Sequence, residues 1–118
     1  MEKDKLTEKI IGCAIEVHRN LGPGLLESTY EHCLAHELHL NNISFKKQLP
    51  IPVNYKGVNL DCGYRLDLLI ENTVIIELKS VRIVTPVDES QILTYMRLAK
   101  INTGLLINFN VNKLIDGV

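Results

Sequence analysis

No stretch of this 118-residue chain approaches the ~20 consecutive apolar residues needed to span a bilayer. No apolar segment with a small-residue cleavage site follows the charged start MEKDKLTEKI either, so neither a membrane protein nor an exported one is expected, and a cytoplasmic location is. Cysteine is scarce: Cys13, Cys33 and Cys62 are odd in number and far apart, which argues against a disulfide framework and suits reduced thiols packed as small apolar residues. An excess of one charge is missing too. With 13 Lys and Arg against 14 Asp and Glu the formal net charge is −1, so there is no general basic coat, and only a local basic patch is left open. No internal repeat, linker or low-complexity tract divides the chain, and residues 1–118 read as one domain, long enough to bury roughly two-thirds of its unfolded surface.

What is present is a change of hydrophobic period along the chain. Leu6, Ile10, Ala14, Val17 and Leu21 recur at helical spacing, with Asp4 as a cap and Gly22-Pro23-Gly24 as the stop. Leu26, Tyr30, Leu34 and Leu38 predict a second helix, ended by Asn41-Asn42. From Ile43 the period becomes two. Ile51, Val53 and Tyr55 alternate with polar residues or prolines, Lys56-Gly57 predicts a turn, and Pro50 and Pro52 point to a sheet edge. Gly63 predicts a bulge or kink. Helical spacing returns at Ile92, Tyr95 or Met96, and Ala99, with Asp88 as the expected cap, and LLINF reads as a last buried strand. The order is helix, helix, about four strands, helix, strand.

Within RLDLLIENTVIIELKS, residues 65–80, two apolar runs carry Asp67, Glu77 and Lys79, charges that a buried strand should lack. A two-residue turn at Glu71-Asn72 would place the carboxylates on different faces. A loop of Glu71, Asn72 and Thr73 instead opposes Leu68 with Ile76, Leu66 with Leu78, Leu69 with Ile75 and Asp67 with Glu77. One face is then wholly apolar, and burial at ~25 cal/mol per Å² favours this register. The other face gathers Arg65, Asp67, Glu77 and Lys79. Opposed carboxylates ~5 Å apart repel, and the repulsion is offset either by Arg65 and Lys79 as a salt-bridge network or by a hard divalent cation such as Mg²⁺.

Asp67 followed by Glu77-Leu78-Lys79 on the next strand resembles the D…(D/E)xK signature of the PD-(D/E)XK nuclease superfamily, although Leu66 stands where the superfamily's name has proline. Gly24-Leu25-Leu26-Glu27-Ser28-Thr29-Tyr30 is similar to the G-x-x-E-x-x-Y motif of the GxxExxY proteins within it, and the similarity runs on through QLPIPVNYKG, VIIELKSV, SQILTYMRLA and GLLINFNV. The resemblance implies an α/β, restriction-endonuclease-like core with a mixed central β-sheet flanked by helices in ααββββαβ order, and an activity in which Mg²⁺ or Mn²⁺ assists hydrolysis of DNA or RNA. It implies Asp67, Glu77 and the Leu78 carbonyl as metal ligands, Lys79 as the residue that orients water, and Glu27 as an acid entering the site from a helix. Gln91 and Tyr95 match a Q-x-x-x-Y pattern beside the site and, with Arg65, would meet substrate. Arg82, Arg97 and Lys100 would add phosphate contacts if the fold gathers them.

Alternatives stay open. Glu27 suits the positive end of its helix, Tyr30 suits helix packing with its hydroxyl one turn from Glu27, and Gln91 suits a first-turn polar position. His32 and His36 have zinc spacing but lack the Glu of H-E-x-x-H, and a solvated face explains them. A catalytically inactive binding module of the same fold is the competing function, and a homodimer is one way to enlarge the surface that reads substrate.

Overall fold

The two helical periods at the start of the chain form α1 (Lys3–Leu21) and α2 (Glu27–Leu40) in a computed structural model that describes residues 3–118. Leu6, Ile10, Ala14 and Val17 of α1 are buried, as are Tyr30, Leu34 and Leu38 of α2. Both stripes end one residue short of the expectation. Leu21 is exposed in the last turn of α1, and Leu26 is the residue that precedes α2, 74% exposed and not part of its apolar face. The Asp4 side chain, expected as a cap, lies outside the described residues.

Five strands follow: β1 (Phe45–Pro50), β2 (Val53–Tyr55), β3 (Val58–Leu60), β4 (Arg65–Ile70) and β5 (Val74–Lys79). The extra strand arises because the run from Val58 to Ile70 is cut at Gly63, whose φ of 81° turns the chain; the Asp61 side chain accepts the Gly63 N–H there. Among the described residues β2 and β3 pair only with each other, around a Lys56-Gly57 turn in which both residues have positive φ. The remaining strands form a four-stranded mixed sheet of order β1-β4-β5-β6, with β6 (Thr103–Asn108) parallel to β5 and the others antiparallel. β1, with its terminal Pro50, lies at one edge of the sheet, where a missing N–H is tolerated.

Between β5 and β6 runs α3 (Pro86–Ala99). Its cap is Thr85, not Asp88: the Thr85 hydroxyl accepts the Asp88 N–H at 3.2 Å while Asp88 Oδ2 accepts the Thr85 N–H at 2.9 Å, with Pro86 in the first turn. Thr-Pro before the apolar period is a start signal that the Asp88 reading passed over. The sheet divides the core. Leu68, Ile70 and Ile76 pack against α1 and α2 on one side, while Leu69 and Ile75 pack against Ile92 and Tyr95 of α3 on the other. This is the mixed α/β, restriction-endonuclease-like arrangement, with the charged end of the β4–β5 hairpin opening between α2 and α3.

Candidate active site

The hairpin register places the site. Glu71, Asn72 and Thr73 form the turn, Glu71 and Asn72 both with positive φ, and the pairs Ile70–Val74, Leu69–Ile75 and Leu68–Ile76 form as predicted. The ladder does not continue to Asp67–Glu77 or Leu66–Leu78. Instead Asp67 Oδ2 accepts the Leu78 N–H at 2.8 Å, so a side chain takes over where backbone pairing stops. Lys79 O accepts the Phe109 N–H on the β6 side, and by the alternation of strand groups the N–H and C=O of Leu78 both face β4 and Asp67.

Glu77 lies beside Asp67 and is 5% exposed, and its Oε1 has no hydrogen-bond partner among the described residues. Burial first, then the charge of Asp67 and a proton shared with it, push the Glu77 pKa up to about 9. Next along β5, Lys79 Nζ donates to Gln91 Oε1 at 3.3 Å and sits 3.9 Å from Asp88 Oδ1. Gln91 Nε2 donates in turn to Tyr95 Oη at 3.1 Å, as their four-residue spacing on one helix face allows. Burial, then the Glu77 charge, raises the Tyr95 pKa.

Glu27 opens α2 across the cleft from Asp67. Tyr30 fixes that position: it is fully buried, stacks on Phe109 at 4.4 Å, donates its hydroxyl to Gly22 O at 2.6 Å and accepts the Leu25 N–H at 3.2 Å. Ser80, next to Lys79, donates to Leu25 O at 2.6 Å and ties the same loop to the end of β5. The Glu27 carboxyl is pushed upward by partial burial and then by the charge of Asp67. A cleft of about 370 Å³ is lined by Glu27, Glu31, Gln48, Asp67 and Leu78 among others.

Glu31 and Gln48 were not anticipated. Glu31 follows Glu27 by four, a spacing that the sequence displays. Gln48 offered no such signal: it lies in β1 between the paired positions Lys47–Leu68 and Leu49–Leu66 with a φ of 50°, and its amide donates to Glu31 Oε1 at 2.6 Å and to Asp67 Oδ1 at 3.4 Å. A left-handed residue inside a strand is costly and marks a place where the surroundings over-determine the backbone.

Thus Asp67, Glu77, Leu78, Lys79, Gln91, Tyr95 and Glu27 converge on one region. Arg65 does not join them: it is exposed at the start of β4 and makes no ion pair among the described residues. Arg82 and Arg97 line separate clefts. His18, unplaced by the sequence, is buried with its Nε2 donating to Val111 O at 2.8 Å, 93 residues away.

The described residues contain no group of three or more His, Cys, Asp or Glu side chains gathered for a metal, which does not suit an all-protein zinc cage. Two carboxylates, one with an unpartnered oxygen, do suit Mg²⁺, which takes one or two carboxylates and completes its shell with water and substrate oxygens. Acids on adjacent strands, a lysine two residues after the second acid and a helix-borne glutamate lie together at one end of a mixed sheet in an α/β domain. The model of the PD-(D/E)XK nuclease superfamily matches residues 4–118, and the chain belongs to that superfamily, whose members generally use divalent metals. Comparison with curated proteins and with solved structures gives no match.

Proposed function

We propose that this protein is a Mg²⁺- or Mn²⁺-dependent nuclease that hydrolyses phosphodiester bonds of DNA or RNA. The observation that carries the proposal is Glu77 Oε1, a buried carboxylate oxygen without a partner among the described residues, set beside Asp67 at the Leu78 backbone. A buried ionisable group left unsatisfied is destabilising, and such groups persist where function requires them. Asp67 and Glu77 would hold the ion, with the Leu78 carbonyl as a third ligand. When bound, the metal supplies neutralisation of phosphate oxygens and a more acidic water.

Lys79 then has two roles within reach of its ammonium: to orient the attacking water and to offset charge on the scissile phosphate. Gln91 and Tyr95 keep that ammonium from folding back on the carboxylates, since the Lys79–Gln91–Tyr95 chain draws it toward α3. Glu27, its pKa raised by partial burial and then by the charge of Asp67, is suited to exchange a proton at the mouth of the cleft. Gly24, Glu27 and Tyr30 support a finer assignment to the GxxExxY proteins, and the anchoring of the Gly22–Leu25 loop by Tyr30 gives that spacing a physical purpose.

One observation favours a second reading, a non-cleaving module of the same fold: Lys79 is engaged by Gln91 and Asp88. Cleavage of single-stranded, duplex and branched DNA and RNA, with Mg²⁺, Mn²⁺ or EDTA, separates the two. We expect metal-dependent cleavage that falls by about 100-fold or more in Asp67→Ala and in Lys79→Ala. Activity unchanged in both variants refutes the catalytic assignment.

A further inference from the structure

A larger cleft, about 650 Å³, lies between α3 and the β2–β3 arm. It is joined to the nuclease site through Gln91 and Tyr95, which line it and lead to Lys79. Tyr64, at the entry to β4, is 46% exposed. Its ring is braced by the buried Tyr95, with centroids 5.9 Å apart and the planes inclined at 57°. An exposed aromatic ring held by a buried one has little freedom left to lose when a flat ligand stacks on it.

The rest of the lining specifies the ligand further. Among the described residues Arg97 is the one charged side chain that lines the cleft, no acid faces it there, and it forms no ion pair. On a chain of net charge −1 this is a cation-biased groove. Asn54 and Thr94 add polar groups of the kind that meet base edges. Asn54 already donates to Asn59 Oδ1 at 3.0 Å, but an apolar peptide would offer nothing to the Arg97 guanidinium or the Thr94 hydroxyl. A duplex hides its base faces within the stack and cannot use an aromatic platform, whereas an unpaired strand presents them.

We infer that this cleft receives unpaired nucleotides of the strand that enters the nuclease site, with a base stacked on Tyr64 and a backbone phosphate at Arg97. The inference rests on the nuclease reading and narrows its substrate to nucleic acid with a single-stranded portion.

Fluorescence anisotropy with labelled oligo-dT, oligo-U and a blunt hairpin duplex tests it, in Ca²⁺ so that binding is read without turnover. The wild type should bind the single strands more tightly than the duplex. Tyr64→Ala should weaken single-strand binding roughly tenfold or more, and Tyr64→Phe, which keeps the ring, should restore it. Arg97→Gln should flatten the salt dependence of that binding. Equal binding by wild type and Tyr64→Ala, with cleavage still dependent on Asp67, overturns the cleft assignment and leaves the nuclease reading standing. No binding of any oligonucleotide overturns both. A Tyr64→Ala variant that changes oligomeric mass in gel filtration but not oligonucleotide affinity assigns the cleft to a second copy and overturns the inference.

Discussion

Replacing Glu77 by glutamine should stabilise the metal-free protein, and the size of the gain follows from the site. The folded protein holds the Glu77 pKa at about 9, against 4.5 for the ordinary group. The native state therefore binds a proton that the unfolded chain has released, and stability falls as pH rises between those two values. At ~1.4 kcal/mol per pH unit, the penalty reaches about 3 kcal/mol at pH 7 and roughly 6 kcal/mol above pH 9. Glutamine keeps the shape, adds an N–H₂ donor for Asp67 and carries no titration. In EDTA at pH 7 the Glu77→Gln melting temperature should rise by roughly 10 °C, and the difference should vanish near pH 4.5, where the unfolded carboxyl is half protonated. Thermal melts from pH 4 to 9, followed by circular dichroism, read this directly. A variant equal to wild type across that range would show that Glu77 is neither desolvated nor opposed by Asp67.

The helices that flank the site give further tests. Tyr30→Phe keeps the stack on Phe109 but removes the bonds to Gly22 and Leu25, which should cost about 1–3 kcal/mol in denaturant melts and lower cleavage by loosening Glu27. Unchanged cleavage would separate Glu27 from that loop. Thr85→Ala breaks the capping box of α3 and should cost about 0.5–2 kcal/mol, read as a lower urea midpoint with the slope retained. Asn108→Ala removes a buried side chain that bonds Val81 twice and Asn110 once, and should destabilise by about 2–4 kcal/mol while freeing the segment after Lys79 to limited proteolysis.

The hairpin that carries the acids was legible because hydrophobic burial admits one register: only a Glu71–Thr73 turn puts Leu68 and Ile76 on a common face. The same logic could not foresee that pairing stops at Leu68–Ile76, since the Asp67 carboxylate competes for the Leu78 N–H in a way no periodicity encodes. The β2–β3 arm was read as part of longer strands because alternation at Ile51, Val53 and Tyr55 is the same on or off a sheet. Leu21 and Leu26 fit a helical stripe by spacing, but the stripe extends past the layer it packs against. Gln48 and the His18–Val111 bond depend on contacts between distant segments and on a left-handed backbone at a residue type that rarely adopts it.

Titration of the metal-free protein with Mn²⁺ in an isothermal calorimeter, at pH 7 in two buffers of different ionisation enthalpy, tests the central claim most directly. Metal can enter only if Glu77 gives up the proton that its raised pKa retains, so wild type should bind with release of about one proton. Glu77→Gln should bind weakly with no such release, and Asp67→Ala should not bind. Binding that is equally strong in all three proteins and independent of buffer would contradict a metal held between Asp67 and Glu77.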